Sequence, residues 1–151
     1  MTIFEKLNLT YQDRIVVLNA PPSFEPELAA LQGVTILRSE SDLDEETDFS
    51  LAFVTTLKEI ETLGPAAAKA KGDPMIWFAY PKTSSQNYAS EITRDNGWQL
   101  LGKLGFEVVR NVSIDDDWTA MRFRRAEFIK TMTRAEKGRM TEVGKARLRK
   151  K

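Results

Sequence analysis

The chain reads as a single α/β domain, a three-layer sandwich with a mostly parallel sheet of about six strands and a C-terminal antiparallel hairpin. Three observations predict this. Short apolar runs alternate with helix-like segments, the signature of parallel strands joined by helical crossovers. The early runs are continuously apolar, as strands covered on both faces must be. The last two β-rich runs are separated only by Asp115-Asp116-Asp117, too short for anything but a hairpin.

Residues 3–11 form a lead-in with room for one helical turn. Residues 14–19 (RIVVLN) are the first strand, ended by Pro21-Pro22, which cannot donate to a sheet ladder. Residues 23–31 read as a short helix with Pro26 in its first turn, where a missing N–H costs little, and Gly33 stops it. Residues 34–38 are a second strand. Residues 40–48 hold six carboxylates and no base; the segment reads as a solvated loop and lacks the glycine of a calcium loop. Residues 49–55 are a third strand. Residues 58–71 read as a helix that Gly64-Pro65 splits, because proline disfavours helical geometry in the residue before it. Residues 75–80 (MIWFAY) are the most aromatic strand, ended by Pro81, and 82–90 are a polar loop. Thr93 or Asp95 is positioned to cap a helix running to about Lys103, with Trp98 and Leu101 on one buried side. Residues 106–114 and 118–128 close the domain as the hairpin, with Asp115–Asp117 as a solvated turn and with Arg122, Arg124 and Arg125 on an edge strand, guarding it against aggregation.

Composition narrows the chemistry. The 151 residues contain no Cys and no His. That removes disulfides, thiolate and imidazole metal sites, cysteine nucleophiles and any Ser-His-Asp triad. No metal site is expected. Lys+Arg and Asp+Glu both number 22, yet residues 134–151 carry eight basic and two acidic groups, so an acidic body at 1–133 precedes a basic tail. Nothing approaches a membrane span or a secretory leader, and a cytoplasmic location is expected.

In a parallel sheet, ligands bind beyond the carboxyl ends of the strands. Those ends are Asn19–Ser23, Arg38-Ser39-Glu40, Thr55-Thr56 and the run from Tyr80 through Ser85. The candidate ligand-binding residues are Asn19, Ser23, Lys82, Thr83, Ser84 and Tyr88: one amide, hydroxyl donors and a lysine, a set that suits a small anion beside a helix start. No glycine precedes Lys82, so the backbone cradle of a nucleotide-hydrolysing loop is missing. The tail has a capping box at Thr133–Glu136 but no aromatic for base stacking, which disfavours nucleic acid as partner.

The order of 49–55, a helix, Lys71-Gly72-Asp73, 75–82, a helix, Leu104-Gly105-Phe106 and a hairpin resembles the back half of class I methyltransferase folds, over about 49–125. Trp77, Pro81 and Lys82 with Thr83 and Ser84, and then Trp118-Thr119-Ala120-Met121, resemble a bacterial family of short Rossmann-like proteins known only as a domain of unknown function, over most of 14–130. The first resemblance implies adenosylmethionine-dependent transfer; the second implies a fold and no activity, and no cofactor is assigned. Where the methyltransferases carry a Gly-rich loop this chain has Asn19-Ala20-Pro21-Pro22-Ser23. The first reading is therefore a non-catalytic binding or regulatory module with a small anionic ligand on the rim. A divergent adenosylmethionine-dependent transferase is the second. An interaction protein using the basic tail on nucleic acid or an acidic partner is the third.

Overall fold

The computed structural model describes residues 2–129. Six strands form one sheet: β1 (Arg14–Leu18), β2 (Thr35–Leu37), β3 (Phe49–Phe53), β4 (Met75–Pro81), β5 (Phe106–Ser113) and β6 (Trp118–Arg125), in the order β2-β1-β3-β4-β6-β5. The first four are parallel. Strand β6 runs against both its neighbours, β4 and β5. The hairpin thus adds its antiparallel pair at this end of the sheet, as expected, but its second strand is the inner one and its first becomes the edge. The side chains explain the choice. Trp118, Ala120, Met121 and Phe123 of β6 bury both faces, whereas Val109, Arg110 and Asn111 of β5 are exposed. A strand apolar on both sides belongs inside.

Two helical layers cover the sheet. On one face lie α3 (Leu57–Ala67) and α4 (Gln99–Lys103), packing Ile60, Leu63, Trp98 and Leu101 onto Phe78 and Phe123. On the other lie α1 (Ile3–Lys6) and α2 (Glu25–Ala29), packing Phe4, Leu7, Phe24 and Leu28 onto Val17, Leu51 and Trp77. The Trp77 indole donates to the Leu7 carbonyl at 2.9 Å, tying the lead-in to the sheet. Pro26 stands in the first turn of α2, as expected, after a 3-10 turn at Pro22–Phe24.

Three helical expectations change. Gly64-Pro65 does not split α3, which runs through both residues. Part of the clash a proline imposes on its predecessor involves that residue's Cβ, and Gly64 has none. The helix instead stops at Ala67, where Arg125 collects the following carbonyls: its guanidinium donates to Ala68, Ala70 and Gly72 oxygens at 2.9, 2.6 and 2.7 Å. The third change is α4, which begins at Gln99 and not at Thr93 or Asp95. Thr93 and Asn96 exchange backbone hydrogen bonds in a tight turn, and Gly97 follows at φ 109°, outside helical geometry. Trp98 and Leu101 are nonetheless buried together, as their spacing requires.

The Asp115–Asp117 turn is wired and not merely solvated. The Asp115 carboxylate accepts from the Asp117 and Trp118 amides, both at 2.8 Å. The arginine strand is interior, so Arg122, Arg124 and Arg125 guard no edge. Among the described residues no helix is long and apolar enough to cross a membrane, and no three carboxylates gather in a geometry suited to a metal ion. The basic segment 134–151 lies outside the described residues.

Candidate functional site

From β1 the chain crosses to β2 on one side and then to β3 on the other. That reversal opens a crevice beyond the strand ends. It is a cavity of about 340 Å³ lined by Leu18, Asn19, Arg38, Thr56, Lys58 and Glu59, among others. A second cavity of about 500 Å³ lies beyond β4, lined by Lys82, Thr83, Asn87, Tyr88 and Thr93 among others. Both fall in the size range of small-molecule sites.

In the first crevice several of the lining groups pair with one another. Thr56 and Glu59 form a reciprocal capping box at the start of α3. Glu59 Oε1 accepts from the Thr55 amide at 2.8 Å, the Thr56 amide at 3.1 Å and both threonine hydroxyls at 3.2 Å. Its Oε2 accepts from Asn19 Nδ2 at 3.4 Å, and the same amide group reaches the Phe53 carbonyl at 3.3 Å. Asn19 has φ 58°, the left-handed region that asparagine tolerates better than most residues. Glu91 adds a second carboxylate at this helix end, accepting from the Leu57 amide at 2.9 Å. Arg38 donates through two nitrogens to Glu25, at 2.9 and 2.8 Å, which holds the Glu25 carboxyl below its ordinary pKa. The amides of Thr55, Thr56, Leu57 and Glu59 and the Arg38 guanidinium are thus already matched, while Lys58, also on this wall, forms no ion pair among the described residues.

The second cavity is different. Lys82 Nζ donates to Ser113 Oγ at 2.7 Å and forms no ion pair among the described residues. Its loop is a preformed turn. Ser85 Oγ accepts from the Asn87 and Tyr88 amides and donates to Asp117 at 2.8 Å. Asn87 Nδ2 donates to the same carboxylate. The Tyr88 ring lies 4.9 Å from the Trp118 ring, centroid to centroid, which fixes one wall. Behind it, the Trp118 indole N–H is buried and has no hydrogen-bond partner among the described residues.

The candidate residues are therefore divided. Lys82, Thr83 and Tyr88 come together in the cavity beyond β4, and Asn19 faces the crevice beside β1. Ser84 is exposed in the turn that joins the Lys82 carbonyl to the Ser85 amide and lines neither cavity. Ser23 is exposed on the 3-10 turn ahead of α2, and that five-residue helix is too short to present an anion site. Sequence reasoning missed Glu59, Glu91, Asn87, Asp117 and Ser113. Of these only Glu59 carried a sequence signal, the Thr-x-x-Glu spacing at Thr56.

This fold is that of the Rossmann-like class I SAM-dependent methyltransferases. The chain is similar to a SAM-dependent methyltransferase from Aquifex aeolicus, with a TM-score of 0.58 and 12% identity over 81% of this chain and 87% of that one. Two weaker likenesses are a fibrillarin/Nop5p complex, TM-score 0.45 and 14% identity over 78% and 74% of the two chains, and the Methanococcus jannaschii fibrillarin pre-rRNA processing protein, TM-score 0.44 and 14% identity over 76% and 66%. No family model and no curated protein matches the sequence. At these identities what is shared is the fold.

Proposed function

We propose that this chain is a non-catalytic binding module that holds a small anionic ligand in the cavity beyond β4. The observation that carries this reading is Lys82. Its ammonium has three N–H groups, one of which meets Ser113, and no carboxylate pairs with it among the described residues. The remaining donors serve the cavity together with the Thr83 hydroxyl, while Tyr88 supplies an apolar wall. Ser84 stands in the adjoining turn, outside the cavity wall, and is not part of the donor set in this reading. Asn19 and Ser23 stand outside this cavity and bind no ligand in this reading.

The fold raises S-adenosylmethionine as a ligand, and the residues do not fit it. The loop after β1 carries Pro21 and Pro22 in place of glycines, so two backbone donors are absent and the approach is crowded. The amides at the end of β3 are committed to Glu59, and Arg38 to Glu25. With no His or Cys in the chain, this rim has no imidazole or thiol, and Glu59 Oε1 already accepts four hydrogen bonds.

Native mass spectrometry of protein purified gently from its own cells tests the proposal. The expected result is an adduct of small-molecule mass that is lost in Lys82→Ala while the fold persists. An adduct retained in that variant overturns the assignment to this cavity, and stabilisation by S-adenosylmethionine overturns the exclusion of the cofactor.

A further inference from the structure

The hairpin carries three arginines on the sheet face that α1 and α2 share. Alternation places Arg122 and Arg124 on the Trp118 side of β6, and a bulge between Val108 and Arg110 turns Arg110 to the same side. In the register Arg110 stands directly opposite Arg122. Like charges so placed repel and weaken a sheet. A sheet keeps such a pair at a cost unless something of opposite charge bridges it.

The local carboxylates do not bridge it. Asp73 is committed to Arg124, whose Nε and Nη2 donate to it at 2.9, 3.0 and 2.7 Å. Glu107, the other carboxylate on this face, is buried and stands opposite Arg124 in the register, not opposite Arg122. Among the described residues Arg110 donates only to the neutral Asn8 amide oxygen, at 3.3 Å, which brings the lead-in loop to the rim of the patch. Arg122 makes no hydrogen bond or ion pair among the described residues, and its Nε is buried without a partner. Burial and the charges of Arg124 and Arg110 depress its pKa, with Asp73 only partly opposing them. A buried guanidinium N–H with nothing to donate to is costly, and an oxyanion is its best acceptor.

We propose that Arg110 and Arg122 form a second anion site, separate from the strand-end cavity, that takes a tetrahedral oxyanion of the phosphate or phosphate-monoester class. Each guanidinium is a fork of N–H donors, and a tetrahedral anion has oxygens enough to accept from both residues of a facing pair. Asn8, held beside Arg110 at φ 61°, borders the seat.

The test is a titration of Lys82→Ala protein at low salt with inorganic phosphate, with glycerol 3-phosphate and, as the carboxylate comparison, with citrate. The Arg122 Nε–H signal is followed by NMR. The expected result is saturable movement of that signal with phosphate and the ester. Arg110→Gln and Arg122→Gln should each weaken binding by about tenfold or more, the scale of one charge-assisted hydrogen bond. Arg38→Gln should leave it unchanged. Arg110 is exposed, so its variant carries the test if Arg122→Gln does not fold. No saturable response to phosphate, equal affinity in the Arg110 variant, or a response to citrate alone overturns the proposal. Because Lys82 is absent from the titrated protein, the result is independent of the ligand proposed beyond β4.

Discussion

Replacing Glu59 with alanine should destabilise the domain by about 2 kcal/mol, a figure built from the contacts around one carboxylate. Loss of a capping residue costs about 1 kcal/mol, and the carboxylate's interaction with the helix start adds about 0.3–1 kcal/mol. The two amides at 2.8 and 3.1 Å are part-buried, so water replaces the lost acceptor incompletely. The assay is equilibrium urea unfolding at neutral pH, where 2 kcal/mol moves the midpoint by about 1 M for a domain of this size. Glu59→Gln retains an amide oxygen for the two backbone donors and should lose about half as much. Thr56→Ala removes the reciprocal half of the box, its Oγ1 accepting from the Glu59 amide at 3.2 Å. A double-mutant cycle with Glu59→Ala should then give a coupling of at least about 0.5 kcal/mol. A loss below about 0.5 kcal/mol for Glu59→Ala would place it among ordinary surface substitutions and refute the view that this carboxylate fixes the start of α3.

The remaining predictions concern other elements. Arg125→Ala strips three carbonyls of their donor, of which Ala70 is the most buried, and removes the guanidinium 5.0 Å above the Phe106 ring; the expected loss by thermal and urea unfolding is about 2–3 kcal/mol. Arg125→Lys should recover less than half of it, since an ammonium cannot span three acceptors with a planar fork. Gly97→Ala would set a Cβ 3.2 Å from Leu57 Cδ2 and 3.3 Å from Ile92 at φ 109°; the expected cost in urea unfolding is about 1–3 kcal/mol, and a neutral result would contradict the rigid 93–97 turn. Burial pushes the Tyr80 hydroxyl above its ordinary pKa, with the Asn111 hydrogen bond and Arg94 opposing in part. The neutral phenol therefore favours the folded state below the ordinary tyrosine pKa, and this contribution is lost as pH rises through the raised value. Tyr80→Phe should flatten the alkaline limb of the stability curve and remove one late-titrating phenolate signal, leaving that of Tyr11, whose hydroxyl pKa is raised by its hydrogen bond to Asp48.

The strands were legible because their signal is local. RIVVL, FSLAF and MIWFAY are continuous apolar runs, and burial on both faces requires that composition. What local reading missed was the place of β6. Turn length fixes that β5 and β6 pair, but which of them meets β4 depends on how each strand's two faces match layers built by distant helices. The helix errors have a similar origin. The continuity of α3 through Gly64-Pro65 rests on the missing Cβ of Gly64, which the dipeptide rule overlooks, and the carbonyls after its stop are met by Arg125, far along the chain. The candidate site divided for the same reason. Lys82, Thr83 and Tyr88 belong to one loop and stayed together, while Asn19 was grouped with them only because every strand end shares a rim. The groups that shape the site, Ser113 on Lys82 and Asp117 on Ser85, come from the distant hairpin and carried no signal of their own.

The interior position of β6 also bears on how the protein is made. A chain emerging from the ribosome folds from its N-terminal end. Strands β1 to β4 can assemble as soon as residue 81 is free, but the outer edge of β4 then has no neighbour until Trp118 follows. For that interval the most aromatic strand of the molecule presents an unpaired ladder, the condition that templates association between chains. The segment from 82 to 117, with α4 and β5 in it, therefore sets a delay during which the nascent protein is exposed to its own copies. A fragment ending at Ser113 would remain in that condition permanently, and truncation on the hairpin should yield aggregates where truncation within 130–151 would leave the sheet complete.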